Sequence, residues 1–221
     1  MSLKSRISCL VAVLAVAVVV QAANPEAAHD RLDSAAVVLD QLTNTPGRGI
    51  QPEQLANADC VAVIPGFKKG AAGVGVGFGR GFISCHNGDS WSAPGAVSLE
   101  SASLGVQIGG ERINIVILST DRDLRSKLVS GRFRIGSDAS AAWVDGKSSH
   151  SDTNAKLLFF SQTRGTFAGF DLDGVTLKTD DSTDKALYGK PITTSEIVAG
   201  DTDIPEVAKP LLTKLTQLAS R

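Results

Sequence analysis

From Gly73 to Phe82 glycine alternates with larger residues, Gly73-Val74-Gly75-Val76-Gly77-Phe78-Gly79-Arg80-Gly81-Phe82. Glycine-rich runs can cradle phosphates, but a dinucleotide fingerprint needs a third glycine five places after its first. That place holds Arg80 when counted from Gly75 and Phe82 when counted from Gly77. A P-loop ends in Gly-Lys-Ser/Thr, and here Gly81 is followed by Phe82. The spacing therefore provides no nucleotide site. Basic side chains offer a different chemistry. Lys68 and Lys69 with Arg80 form one grouping, and Arg112, Arg122, Arg125, Lys127, Arg132 and Arg134 form another. If folding brings some of them to one face, they create a local site for anionic headgroups. Glu111, Asp121 and Asp123 are interleaved with the second grouping, so an ordinary solvated surface is the competing reading. None of the three histidines, His29, His86 and His150, has the short spacing to Cys, Asp or Glu of a zinc site. His86 reads as an exposed turn residue beside Asn87-Gly88, and Asp180-Asp181 reads as a solvated pair in a polar loop. The Gly-x-Ser-x-Gly elbow of many hydrolases is absent, and no metal or cofactor is expected.

These groups sit in a chain of 221 residues with 43% hydrophobic and 20% charged residues, a globular composition sized for one domain. A formal net charge of -1 lacks the Lys/Arg excess of a general nucleic-acid binder. Lys4 and Arg6 precede an apolar run from Ile7 to Val20, and Val20-Gln21-Ala22 places small residues where a leader is cut. Residues 1–22 thus read as a secretory signal peptide and residues 23–221 as the working domain, in a periplasmic or secreted location; an uncleaved anchor is the alternative. An oxidising compartment permits a disulfide between Cys60 and Cys85; two separately buried thiols are the alternative.

The elements that must position these groups follow from periodicity. Asn24-Pro25-Glu26 carries helix-start signals, and Ala28, Leu32, Ala35, Leu39 and Leu42 recur at helical spacing, opposite Asp30, Arg31, Asp33 and Asp40. Pro52-Glu53-Gln54-Leu55 starts a second short helix. Cys60 to Ile64 predicts a buried strand closed by Pro65-Gly66, and Asn87-Gly88 predicts a hairpin turn. Ile113, Ile115 and Ile117 share one face of another strand. Asp121 caps a helix carrying Leu124 and Leu128 that stops at Gly131, and Arg132 to Ile135 is a strand. Thr166 to Leu172 and Val175 to Thr179 flank Asp173-Gly174 as a hairpin, and Leu211, Leu215 and Leu218 mark a C-terminal helix. The expected fold is a single α+β domain with an extensive, mainly antiparallel, Gly-rich sheet flanked by N-terminal and C-terminal helices. The bare face of the glycine strand needs another backbone, strong curvature or a flat apolar ligand against it.

Several of these motifs together resemble the SYLF domain family. They are Gly77-Phe78-Gly79-Arg80-Gly81, Trp91-Ser92-Ala93-Pro94, Gly105-Val106-Gln107-Ile108-Gly109, Gly136-Ser137-Asp138-Ala139-Ser140-Ala141, Arg164-Gly165-Thr166-Phe167-Ala168-Gly169 with Leu172 and Gly174, and Tyr188-Gly189. They follow the family's order across roughly residues 30–215. Trp143-Val144-Asp145-Gly146-Lys147 departs from the family's Gly-Pro-x-Gly-Arg-like run, and Phe160-Ser161 from its Tyr-Ser pair. The resemblance implies non-catalytic lipid association, through a basic patch in members that bind phosphoinositides, while some members bind actin. Its exported bacterial branch fits a leader and an envelope or secreted location. On this reading an anionic phospholipid or membrane surface is the partner, with headgroup contacts from Lys68, Lys69, Arg80, Arg132 or Arg134. A structural or protein-interaction module of the envelope and a small envelope hydrolase are the alternatives.

Overall fold

The computed structural model describes residues 24–45, 49–71, 75–103, 111–144, 155–162 and 174–220, without the side chains of 69–71, 75, 102, 103, 111, 143 and 201. Helix α1 (Pro25–Thr43) starts where the sequence predicts, with the Glu26 N–H donating to Asn24 Oδ1 at 3.0 Å and Pro25 in the first turn. Its stripe of Ala28, Leu32, Ala35, Val38, Leu39 and Leu42 is buried. The short α2 (Pro52–Ala56) buries Leu55. The strands are β1 (Cys60–Ala71), β2 (Gly75–Asn87), β3 (Ser90–Trp91), β4 (Gly95–Ser103) and β5 (Glu111–Ser119). After a 3-10 turn (Arg122–Leu124) and α3 (Arg125–Leu128) come β6 (Arg132–Arg134), β7 (Ala141–Trp143), β8 (Leu157–Gln162) and β9 (Thr176–Thr179). The chain closes with α4 (Asp181–Tyr188), α5 (Thr194–Glu196) and α6 (Lys209–Ala219).

These strands form one curled sheet in the order β6-β9-β4-β2-β1-β5-β8-β7, with β3 paired to β2 off that path. Its described pairings are antiparallel except β7 with β8. The expected α+β class, with a mainly antiparallel sheet between terminal helices, is what forms. Period-2 alternation gives the sheet two buried faces. Ile113, Ile115 and Ile117 join Ile64, Phe67, Ile83, Leu99, Phe133 and Phe159 in an inner core, while Val116 and Leu118 join Val61, Val63, Phe82 and Phe160 beneath α1, α2 and α6. Cys60 and Cys85 are register partners on β1 and β2 and are joined by a disulfide.

The inner core explains the glycines. A Cβ on Gly79 would lie 2.7 Å from Ile64 Cγ2 and 3.0 Å from the Phe67 ring, and one on Gly77 would overlap the same ring and Ser101 Oγ. β1 therefore covers the bare face, with the Ile64 and Phe67 side chains over Gly77 and Gly79 and the Val63 backbone carbonyl over Gly81, where the expected close approach of another backbone is found. β1 also runs through Pro65-Gly66, which were expected to close it. Ile64 pairs with Ile115 and Phe67 with Ile113, so β1 spends one residue more than β5 across this bulge. Gly66 takes φ +61°, and its N–H donates to Asn114 Oδ1 at 3.0 Å. Because one extra residue reverses the alternation, Phe67 turns inward beside Ile64 and Lys68 turns outward.

Two more expectations are corrected. Asp180 is not a solvated loop carboxylate: it caps α4, an unexpected helix, accepting from the Thr183 N–H at 3.2 Å and Thr183 Oγ1 at 2.8 Å. His86 is half-buried within β2 and packs on Trp91 with ring centroids 4.0 Å apart. Most of the predicted hairpin arm 166–172 and the Gly105–Gly109 motif lie outside the described residues.

Candidate functional site: a basic sheet face beside helix 1

Register decides which basic residues share a face, because directly opposed residues of antiparallel strands point the same way. One row runs Arg132, Lys178, Ser98, Arg80 across β6, β9, β4 and β2. The next runs Arg134, Thr176, Glu100, Phe78, Lys68, Arg112 across β6, β9, β4, β2, β1 and β5. Phe82, in phase with Phe78 and Arg80, packs beneath the helices, so both rows lie on the helix-bearing face. The helices cover one half of that face. On the other half Lys68, Arg80, Arg112, Arg132 and Arg134 are exposed, with Val76 and Phe78 at 59% and 45% exposure.

Four of the five sequence-predicted residues, Lys68, Arg80, Arg132 and Arg134, thus share one face, although Arg132 and Arg134 stand at the sheet edge. Five inter-strand steps of about 4.8 Å put Arg134 roughly 24 Å along the sheet from Arg112. Lys69 is the register partner of Gly77 and Glu111, and its side chain lies outside the described set. Opposing charge is limited. Lys178 pairs with Glu100, and Arg80 Nε lies 3.5 Å from Asp180 Oδ2 while its guanidinium sits 5.5 Å from the Phe78 ring centroid. Lys68 and Arg112 face each other directly, a like-charged cross-strand pair that works against the sheet.

An open groove of about 1750 Å³ runs between α1 and this face, lined by Lys68, Phe78, Arg80, Arg112, Asn114 and, from α1, Arg31 and Val37, among others. Arg31 was assigned to the solvent face of its helix. It stands three residues after Ala28 and four before Ala35, which places it beside the buried stripe, and this spacing was the signal that could have found it. Burial lowers its pKa and the neighbouring Arg80 adds to that, with Asp180 opposing both.

A family sequence model described as "Las17-binding protein actin regulator", named Ysc84, matches residues 100–218, just over half of the chain. The chain belongs to the Ysc84 family. Protein YSC84 of Saccharomyces cerevisiae is 29% identical over 172 residues, 74% of this chain and 36% of that protein. SH3 domain-containing YSC84-like protein 1 is 30% identical in Xenopus laevis over 190 residues, 80% of this chain and 56% of the relative. The Homo sapiens protein of that name is 28% identical over 175 residues, 76% of this chain and 51% of the relative. The chain therefore spans between about a third and a little over half of these relatives. No solved structure matches it. The SYLF resemblance drawn from the motifs is borne out, and the names of the Ysc84 relatives describe no enzyme.

Within this Ysc84-family chain two buried side-chain polar atoms of β2 stand apart from the hydrogen-bond network. Ser84 Oγ and His86 Nε2 are buried without a hydrogen-bond partner, and no hydrogen bond links them. The Asp59 carboxylate accepts from Arg125 Nε at 3.0 Å and Arg125 Nη2 at 2.6 Å, and that same Nη2 donates to the His86 carbonyl at 2.5 Å. Asp59 thus ties the disulfide end of β1 to α3. Among the described residues no group of three His, Cys, Asp or Glu could hold a metal ion, and no helix is long and apolar enough to cross a membrane.

Proposed function

We propose that this Ysc84-family chain is a non-catalytic module that binds anionic phospholipid surfaces through the basic half of its helix-bearing sheet face. The observation that carries the reading is Lys68 directly opposite Arg112, flanked by exposed Phe78 and Arg80. Such a pair weakens the sheet that holds it, and an anionic surface relieves the repulsion. Basic residues near an anionic leaflet contribute about 1 kcal/mol each, so four or five acting together give roughly millimolar to sub-millimolar attraction. Exposed Phe78 and Val76 can add apolar contact at the interface. A leader over residues 1–22 and the Cys60–Cys85 bridge support a periplasmic or secreted setting.

Vesicle co-sedimentation tests the reading. Phosphatidylcholine vesicles carrying phosphatidylglycerol should retain the protein, salt should weaken retention as the Debye length falls to about 3 Å at 1 M, and Lys68→Glu with Arg112→Glu should abolish it. Equal retention by neutral and anionic vesicles, or by neither, would refute the mechanism. A second reading, contact with actin machinery, is favoured by the family description over residues 100–218. Co-sedimentation with actin filaments tests it.

A further inference from the structure

Where the chain leaves β9 for α4, a side chain takes over from the sheet ladder. The Asp180 N–H donates to the Ala96 carbonyl at 2.9 Å as a ladder residue would, but the Asp180 carbonyl has turned into the helix, where it accepts from the Thr183 and Asp184 N–H groups at 3.0 Å. The Asp184 carboxyl takes the Ala96 N–H in its place, at 2.7 Å. Its other oxygen meets Thr194 Oγ1 of α5 at 2.7 Å, and that hydroxyl stands 3.2 Å from the Ala96 carbonyl. One fully buried carboxyl group thus joins β4, α4 and α5. Helix α5 comes this close because residue 95 is glycine: a Cβ there would lie 2.5 Å from Thr194 Cγ2.

The junction is complete when Asp184 is protonated. Its carbonyl oxygen then accepts from Ala96, its O–H donates to Thr194, and the Thr194 hydroxyl donates to the Ala96 carbonyl. Ionisation instead puts a full charge where water does not reach. The charges that act on this carboxyl are those of Asp181 and Asp180, both negative. Elsewhere on α4, Lys185 is exposed and the Tyr188 hydroxyl donates to the Pro94 carbonyl at 2.8 Å. On α5 the Glu196 carboxylate is occupied by the Thr193 N–H and hydroxyl, on α1 Arg31 interacts with Asp180, and residues 95–98 of β4 carry no charge.

We propose that Asp184 is a pH-sensitive latch whose ionisation releases α4 and α5 from β4, and with them Asp180, the carboxylate that Arg31 and Arg80 share. Asp180 lies 3.5 Å from Arg80 Nε and its charge favours the Arg31 guanidinium. It is held there by Ser182 Oγ, the Thr183 N–H and Thr183 Oγ1, bonds that last only while the first turn of α4 is wound. Opening the latch therefore strips the counter-charge from two arginines beside the basic face. The direction follows from linkage. In the open state Asp184 titrates near 3.9, whereas burial holds it protonated in the closed state up to about pH 7. Protonation thus favours the closed state, and the opening constant rises with pH between these values, by roughly 80-fold from pH 5 to pH 8.

Backbone hydrogen exchange of the purified protein at pH 5, 6, 7 and 8, corrected for the intrinsic rate, tests the latch. The Ala96, Thr183, Asp184 and Ile197 amides should open more readily than those of Val61 and Val116 in the β1–β5 pair, and their opening constants should climb by that factor. Asp184→Asn should keep the low opening of pH 5 throughout. A climb that is the same in parent and variant overturns the latch. So does equal opening in the α4–α5 junction and the β1–β5 pair, which would make Asp184 a group that acts on global unfolding alone. A second arm rests on the anionic-surface reading: phosphatidylglycerol vesicles should retain more of the parent at pH 8 than at pH 5, and Asp184→Asn should show no such rise. Exchange that opens with pH while retention stays constant overturns the release of Arg31 and Arg80. No retention at any pH refutes the surface reading, and the exchange result then decides the latch by itself.

Discussion

Asp184 is the buried titratable group whose behaviour the fold fixes most tightly. It lies on α4 with no solvent exposure, and one carboxylate oxygen accepts from the Ala96 N–H at 2.7 Å while the other accepts from Thr194 Oγ1 at 2.7 Å. Burial is the main cause that pushes its pKa up, to about 7; the Thr194 and Ala96 hydrogen bonds oppose it, and the charges of Asp181 and Asp180 add to it. In the unfolded chain an aspartate titrates near 3.9. The folded state therefore binds the proton more tightly, and this group favours folding below about pH 4. The contribution is lost as pH rises through the interval to about 7. A shift of about three units at roughly 1.4 kcal/mol each makes the loss about 4 kcal/mol, large against a typical domain stability of about 5–15 kcal/mol.

Asp184→Asn isolates this effect because the network can re-form. The Asn carbonyl keeps the Ala96 N–H, its amide donates to Thr194 Oγ1, and the Thr194 hydroxyl turns to the Ala96 carbonyl 3.2 Å away. Urea unfolding at intervals from pH 4.5 to 8.5 should show the parent losing midpoint concentration with rising pH and the variant staying nearly flat, with equal m values. At pH 8 the variant should be the more stable by up to about 4 kcal/mol, and near pH 4.5 the two should converge. Asp180, where burial pushes the pKa up but hydrogen bonds from Ser182 and Thr183 and the charge of Arg80 together bring it down, and Glu196, lowered by hydrogen bonds from Thr193, lose their contribution only below the ordinary carboxylate range, outside this window. Parallel pH profiles for parent and variant would show that Asp184 does not titrate in the window and would sink the argument.

Two further outcomes concern the sheet. Gly81→Ala should melt below Gly77→Ala, since a Cβ at 81 would strike the backbone carbonyl of Val63, which cannot swing aside, while one at 77 meets the Phe67 side chain and Ser101 Oγ; overpacking of this kind costs about 1–3 kcal/mol. A Gly81→Ala variant that melts with the parent would place the strand elsewhere. Replacing Cys60 and Cys85 together by Ala should lower stability by about 3 kcal/mol for a separation of 25 residues, and neither cysteine should alkylate before reduction. Alkylation of both without reductant would remove the bridge from the working protein.

The helices and strands with apolar periodicity were readable from the sequence, and the short α2 was readable from its Pro52-Glu53-Gln54 start alone. Helix α1 and helix α6 announce themselves through leucines and alanines at helical spacing, and β5 through its alternating isoleucines. Helix α4 was missed because the positions it buries include Thr183 and Asp184, held by hydrogen bonds rather than by a greasy stripe. The bulge in β1 was read as an end, since Pro-Gly punctuates strands in general, and only the partner strands reveal that pairing resumes at Phe67. The candidate site was half legible. Lys68, Arg80, Arg132 and Arg134 could be named as basic, but their shared face depends on long-range register, and Arg31 joins them only because α1 lies alongside β2.

Strand β2 shows how core and site come from one alternation. Gly77, Gly79 and Gly81 point inward, and the missing side chains make room for Phe67 and Ile64 from the neighbouring strand. Val76, Phe78 and Arg80, the residues between and beside them, must then point outward. The bulge at Pro65-Gly66 completes the arrangement, because the same extra residue that turns Phe67 into the glycine face turns Lys68 out beside Phe78 and opposite Arg112. Removing the bulge would send the charge of Lys68 toward the core and Phe67 toward solvent. The glycines thus supply no ligand contact of their own. They allow an aromatic residue to be buried against the sheet, and the strand's alternation then leaves the opposite face basic, with one exposed aromatic residue at its centre.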